Sequence, residues 1–191
     1  MSECTHNCST CSENCGERTE PQSFLKEHHK DAYIGKVYGI VSGKGGTGKT
    51  SFTALVGAAL AKQGKKVLCL DCDFGLRNLD LALGLADSAL MDFSDVALGY
   101  CPLSRAAVEH PTLKGLSLLT APMHLPAGLN EDNFGALLRT ARSMYDYILI
   151  DSPAGLGAGF QLAIAHADRV LVVATNDASS LRDAQRVVSE L

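Results

Sequence analysis

At 191 residues the chain has room for one domain with a sizeable core. A net charge of −4 gives no reason to expect broad nucleic-acid binding, and no run approaches the ~20 apolar residues of a membrane span. The polar N-terminus lacks the apolar core of a secretory signal, which points to the cytoplasm, where seven cysteines read as ligands, reactive thiols or buried apolar residues rather than disulfides.

Residues 1–34 carry Cys4, Cys8, Cys11 and Cys15 among polar residues with almost no apolar periodicity. They read as a tail and linker unable to bury a core, with 35–191 as the domain. Four thiols spaced Cys4-x3-Cys8-x2-Cys11-x3-Cys15 suit an iron–sulfur cluster or tetrahedral Zn2+, with His6 as an alternative ligand. A tail of reduced, unoccupied cysteines is the other reading. His28 and His29 read as linker residues.

From Lys36 onward the pattern is regular. Val37–Val41 predicts a buried strand, followed by a glycine-rich loop. The spacing of Phe52, Leu55, Val56, Ala59 and Leu60 then predicts a helix with those residues inward, ended by Gly64. Residues 67–70 and 116–119 predict two further strands. A helix is expected from about Asn130, with Glu131 and Asp132 in its first turn, Arg139 and Arg142 near its end, and Phe134, Leu137, Leu138 and Ala141 inward. Strands follow at 147–150 and 170–173, and Ser180 with Asp183 resembles a capping box opening a last helix. That helix runs into Leu191 without a C-cap, so the domain is expected to be incomplete at its C-terminus. Wholly apolar strands alternating with amphipathic helices predict an α/β fold, a doubly wound and mostly parallel sheet covered on both faces, binding ligands beyond the strands' carboxyl ends.

The motifs sit at those ends. Gly43, Gly48, Lys49 and Thr50 meet the phosphate-loop pattern G-x-x-x-x-G-K-[ST]. Its N–H groups can cradle phosphates, Lys49 can reach the β and γ phosphates, and the Thr50 hydroxyl can ligate Mg2+. ATP and Mg2+ are therefore the expected ligands. Asp71-Cys72-Asp73 ends one strand and Asp151-Ser152-Pro153 another. Carboxylates there are costly to bury without a cation or hydrogen-bond role. Cys69 reads as a small buried apolar residue, and Cys72 and Cys101 carry no assignment.

Ser42-Gly43-Lys44-Gly45-Gly46-Thr47-Gly48-Lys49-Thr50 resembles the deviant Walker A motif of the MinD/ParA/Mrp ATPases. The resemblance implies a slow, activator-dependent ATP hydrolase that forms an ATP-dependent homodimer. Lys44 would reach the partner's phosphates across that dimer, and Ser51 would lie near the α-phosphate. Leu70–Asp80, Leu83–Leu85, Tyr145–Gly155, Ala167–Arg169 and Arg182-Asp183 are similar to the MinD branch, so the likeness covers about 36–191. By that likeness Asp73 orients the attacking water, Asp71 supports the metal site and Asp151 is the Walker B carboxylate holding Mg2+ through water. Gly155 falls in a switch segment. The MinD branch implies division-site placement, a protein activator and peripheral membrane association through a C-terminal segment outside the 191 residues. The family's adenine contacts are expected to lie late in the chain as well. The cysteine tail is similar to Mrp-type iron–sulfur carriers, whose task is the alternative function; a ParA-type role in DNA segregation is a second one, which the acidic charge disfavours. No direct nucleic-acid contact is expected.

Overall fold

Apolar strand runs and amphipathic stretches fold into the alternation they predict. A computed structural model describes residues 35–86 and 88–191; the proposed cysteine ligands at 4, 8, 11 and 15 lie outside the described residues. The elements are β1 (Lys36–Ser42), α1 (Lys49–Lys62), β2 (Val67–Asp71), α2 (Asn78–Ala82), α3 (Phe93–Ala97), α4 (Leu103–Ala106), β3 (Val108–Glu109), β4 (Leu116–Leu119), α5 (Glu131–Met144), β5 (Tyr147–Ala154), α6 (Ala158–Ala165), β6 (Arg169–Val172) and α7 (Ala178–Ser189).

They form one sheet in the order β3-β4-β2-β5-β1-β6. All pairings are parallel except that of β3 with β4, which is antiparallel. Side chains alternate between the faces of each strand. Leu68, Leu70, Ile148 and Ile150 therefore meet Phe134, Leu137 and Leu138 of α5 on one face. Val67, Cys69, Leu116, Leu118 and Leu149 meet Ala54 and Ala61 of α1 and Leu79 of α2 on the other. Val41, Phe160 and Val187 join β1, α6 and α7 in a third cluster. The expected doubly wound α/β fold is the observed one. At the opposite end from the phosphate loop, Arg142 closes α5 onto the sheet, donating to Asp168 at 2.7 and 2.9 Å and to the Gly35 carbonyl at 2.8 Å.

Four details differ from the sequence reading. Helix α1 turns Thr53, Ala54, Gly57 and Ala61 inward, while Phe52 and Leu55 are 39% and 71% exposed. The larger residues of the expected stripe lose because α1 lies too close to the sheet. A Cβ on Gly57 would sit 2.6 Å from the Cys69 sulfur and 3.3 Å from a Leu116 methyl carbon. Helix α7 is capped by Asp177, whose carboxylate accepts the Ser180 N–H, so the expected cap Ser180 lies inside the first turn. Strand β6 is at the end of the strand order and its residues alternate between exposed and partly exposed, although the run is as apolar as the buried ones. The short elements α2, α3, α4 and β3 carry too few residues to show a period.

Gly57→Ala tests the close approach. The helix-propensity gain of about 1 kcal/mol is outweighed by overlap with the Cys69 sulfur, and urea unfolding is expected to show a net loss of about 1–3 kcal/mol. Combining it with Cys69→Ala should give a protein more stable than the two single changes added together, because the new methyl enters the space the sulfur leaves.

Candidate functional site

Strand β1 delivers the chain to the phosphate loop, and the loop turns into α1 through backbone that only glycine adopts easily. Gly46 and Gly48 have φ of 76° and 88°, and Gly48 is the N-cap of α1. The cap has no side chain that accepts from the first turn, so the helix N–H groups are left for a ligand anion. Gly43 serves packing instead. A Cβ there would lie 2.5 Å from the Asp183 Cβ, so α7 rests directly on the start of the loop.

Lys49 is the first residue of α1 and is 8% exposed. Its ammonium donates to the Ser42 hydroxyl at 2.7 Å, and that hydroxyl donates to the Lys44 carbonyl at 2.7 Å. Burial lowers the Lys49 pKa, and the carboxylates of Asp151 and Asp73 oppose that shift. Asp71 and Asp151 are neighbours across the parallel β2–β5 pair, and each is 1% exposed. Burial raises the Asp151 pKa to about 6, against hydrogen bonds from Thr50 and Thr53 and the charge of Lys49. The Thr53 hydroxyl lies 3.3 Å from Asp151; it sits one turn after Lys49 on α1, a spacing the sequence reading did not use. Burial likewise raises Asp71 to about 7, partly offset by backbone N–H groups of Asp73 and Leu79. Asp73 is raised by burial and lowered by Lys49.

An open cavity of about 550 Å3 lies beside them, lined by Gly45, Gly46, Gly48, Lys49, Thr50, Ser51, Asp73, Leu76, Asn78 and Pro153, among others. That volume is in the range of small-molecule sites. Of the sequence-identified residues, Gly45, Gly46, Gly48, Lys49, Thr50, Ser51 and Asp73 meet at this cavity, whereas Gly43, Lys44, Thr47, Asp71 and Asp151 do not line it; Asp151 interacts with Thr50 and Lys49. The Thr47 hydroxyl is buried without a hydrogen-bond partner in the protein, a donor left over for a ligand oxygen. Hydroxyl and carboxylate donors suit a hard cation. Among the described residues no three His, Cys, Asp or Glu side chains gather into a metal cluster. Such a donor set fits Mg2+, which is held mostly by phosphate and water with one or two protein ligands.

Lys44 points elsewhere. Its ammonium is 3.1 Å from one Asp177 carboxylate oxygen and 2.9 Å from the Ser179 hydroxyl. Hydrogen bonds from Ser179, Thr175, the Ser180 N–H and Lys44 hold the Asp177 carboxyl well below the usual range. Asp177 and Ser179 were not singled out from sequence, because nothing local links them to a loop more than 130 residues earlier. Gly155, with φ of 85°, donates its N–H to the Ser42 carbonyl at 3.3 Å and so ties the end of β5 to the loop.

The two raised carboxyls make stability fall as pH rises. An unfolded aspartate ionises near its ordinary value, while Asp151 and Asp71 in the fold do so near about 6 and about 7. Between those limits the folded chain holds more protons, so unfolding becomes easier with pH. Thermal melts of ligand-free protein should show Tm decreasing from pH 4.5 to 7.5. Asp151→Asn should flatten that slope and raise Tm at pH 7.5 by something on the order of 5 °C; an unchanged slope would count against the burial of this carboxylate.

Comparison with known proteins places this geometry. MinD, the septum site-determining protein of Helicobacter pylori, is 47% identical over 150 residues, covering 78% of this chain and 56% of that protein. Among solved structures, the MinC:MinD cell division protein complex of Aquifex aeolicus aligns with a TM-score of 0.74 at 43% identity, covering 82% of this chain and 63% of the other. MinD from Pyrococcus horikoshii, complexed with Mg-ADP, aligns with a TM-score of 0.71 at 30% identity, covering 82% and 65%. The chain thus spans less than two thirds of the length of each. Residues 35–191 match the family model described as an AAA domain, and on that match the chain belongs to the AAA-domain family, within its MinD/ParA group.

Proposed function

We propose that this chain is a MinD-like ATPase, which binds ATP with Mg2+ and uses hydrolysis as a dimerisation switch in placing the division site. The observation that carries the reading is the buried Lys49 ammonium at the end of a glycine loop, bonded to Ser42 and within the electrostatic reach of Asp151 and Asp73. Mg2+, when bound, would neutralise phosphate charge, with the Thr50 hydroxyl as its direct ligand and Asp151 as the group that orients its waters. Lys49 and the loop N–H groups bind and orient the phosphates. Asp73, at the cavity wall with its proton affinity raised, positions the attacking water. Phosphoryl transfer needs little more than such positioning and charge neutralisation. ADP with Mg2+ bound to the Pyrococcus relative supports the ligand class.

Homodimerisation rests on Lys44 and on the rim of the cavity. Leu76 lines the cavity yet is 68% exposed, an apolar surface suited to a second copy. In the single chain Lys44 is held by Asp177, so reaching a partner's phosphate requires exchanging that carboxylate for a more highly charged anion. A protein effector fits the same reading, since the Aquifex relative was solved in a complex with MinC. No helix among the described residues is long and apolar enough to cross a membrane; the reading needs none, because it places the protein in the cytoplasm and at the membrane surface.

We also infer that residues 1–34 form a separate tail with a metal site on Cys4, Cys8, Cys11 and Cys15, taking an iron–sulfur cluster or Zn2+. The four thiols lie outside the family match at 35–191. Cys69 is buried and pushed up to about 12, and Cys72 is buried with its thiol pushed up as well, so neither offers a thiolate for the task.

Variants separate the roles. Lys49→Ala should weaken binding of a fluorescent ATP analogue at least 100-fold. Asp73→Ala should bind as wild type does and lose turnover by about 100-fold or more, and normal hydrolysis in that variant would remove Asp73 from the mechanism. Lys44→Ala should bind ATP yet stay monomeric in light scattering, where Asp73→Ala with ATP is dimeric. Anaerobically purified chain should carry stoichiometric iron with visible absorbance, or one Zn2+, and lose it when the four cysteines are changed to serine; metal-free wild-type protein would leave the tail as plain reduced thiols.

A further inference from the structure

The loop that follows β2 carries Asp73 at one end and enters α2 at the other. Between them run Phe74, Gly75, Leu76, Arg77 and Asn78. Both ends of this segment are held by one side chain. Asp71 Oδ1 accepts the Asp73 N–H at 2.8 Å, and Asp71 Oδ2 accepts the Leu79 N–H at 3.2 Å. Asp71 is 1% exposed and Leu79 fully buried, so the Leu79 bond is shielded from water, while the Asp73 bond is part-buried with its acceptor inside the fold. Within the loop the chain reverses through two positive-φ residues, Gly75 at 84° and Arg77 at 49°. The second is not glycine and is disfavoured without outside support. That support is visible: the Arg77 N–H reaches the Asp73 carbonyl at 3.3 Å, and Arg77 Nε donates to the Thr120 hydroxyl at 2.9 Å at the end of β4. Phe74 packs on Phe93, with ring centroids 5.9 Å apart.

Asp73, Leu76 and Asn78 of this loop line the cavity, and Asp71 does not. The carboxylate therefore stands one layer behind the site, with each oxygen turned to a backbone N–H rather than to the space where a ligand would lie. We infer that Asp71 is a positioning residue that pins the two ends of the 73–79 loop and thereby sets where the Asp73 carboxylate stands, rather than a group that acts on the metal. This rests on the proposed ATPase reading for its consequence in turnover, but not for the pin itself.

The physical reason is specific to a carboxylate. Only a group with two acceptor oxygens and no donor satisfies both N–H groups at once. Asparagine, of the same size, must turn an NH2 toward one of them, and that buried N–H loses its partner.

Amide hydrogen exchange on the 191-residue chain, without nucleotide or Mg2+, reads the pin directly. In wild type the amides of Asp73 and Leu79 should be protected at least 100-fold over an unstructured chain, although Asp73 lies in a loop. In Asp71→Asn one or both should exchange at least tenfold faster, while the amides of β1 and β5 keep their protection. In the ATPase assay the same variant should lose at least tenfold in kcat, with KM for ATP and the half-saturating Mg2+ concentration within about twofold of wild type. Unprotected Asp73 and Leu79 amides in wild type would overturn the inference with no variant needed. So would unchanged exchange in Asp71→Asn, or a rise in the Mg2+ requirement without faster exchange. A wild-type chain that shows the protection but gives no change in Lys49-dependent stability or exchange on adding Mg2+ and ATP would sink the ATPase reading and leave the pin standing.

Discussion

The buried ammonium of Lys49 is the charge around which the carboxyl ends of the strands are arranged. An unpaired ammonium in a protein interior is expensive, and so are Asp71 and Asp151, nearly inaccessible on adjacent strands. Lys49 and Asp151 offset one another in part, and backbone N–H groups do the same for Asp71, yet burial still lowers the Lys49 pKa and raises those of Asp71, Asp73 and Asp151. Lys49 interacts with Asp151 and Asp73, and Asp71 adds a third carboxyl on the neighbouring strand, so acidic groups outnumber the one buried cation here. A bare anion would add negative charge there, which is why the proposed function pairs the nucleotide with a metal ion. The same imbalance makes the fold less stable as those carboxyls ionise.

Sheet order turns this local chemistry into a site. β1 lies between β5 and β6, and β2 lies on the far side of β5. The phosphate loop leaves β1, Asp71 closes β2 and Asp151 lies on β5, so three segments far apart in the chain end side by side. Glycine at two contacts lets the helices come close enough to hold them there. At Gly57 helix α1 settles on the sulfur of Cys69, and at Gly43 helix α7 settles on the loop itself. The second contact brings Asp177 and Ser179 to Lys44, coupling α7 to the phosphate loop.

The fold corrects the expected pattern of two helices, for different reasons. In α5, Phe134, Leu137, Leu138 and Ala141 are inward as their spacing predicts, and they pack with Leu68, Leu70, Ile148 and Ile150 of the sheet. In α1 the spacing of Phe52, Leu55 and Val56 is just as regular, yet small residues face the sheet. Periodicity reports which residues share a face, not how near the neighbouring layer lies. For α7, Ser180 and Asp183 have the right spacing for a cap, but Asp177 is earlier and already bound to Thr175 and Lys44, so it takes the end of the helix.

The sequence by itself determined the alternation of strand and helix, the parallel sheet, the phosphate loop from Gly43 to Thr50 and the strand-end carboxylates. Each is written in neighbours along the chain, through backbone preference, period or motif. It also carried the MinD/ParA likeness, because that lives in contiguous segments. Only the tertiary structure decided what those carboxylates touch: Asp151 with Thr53 and near Lys49, and Asp71 with two backbone N–H groups behind the cavity wall. It also set Lys44 on Asp177 and Arg77 on Thr120. These are contacts between residues distant in sequence, made by the order of strands and the closeness of packing, and no local pattern encodes either.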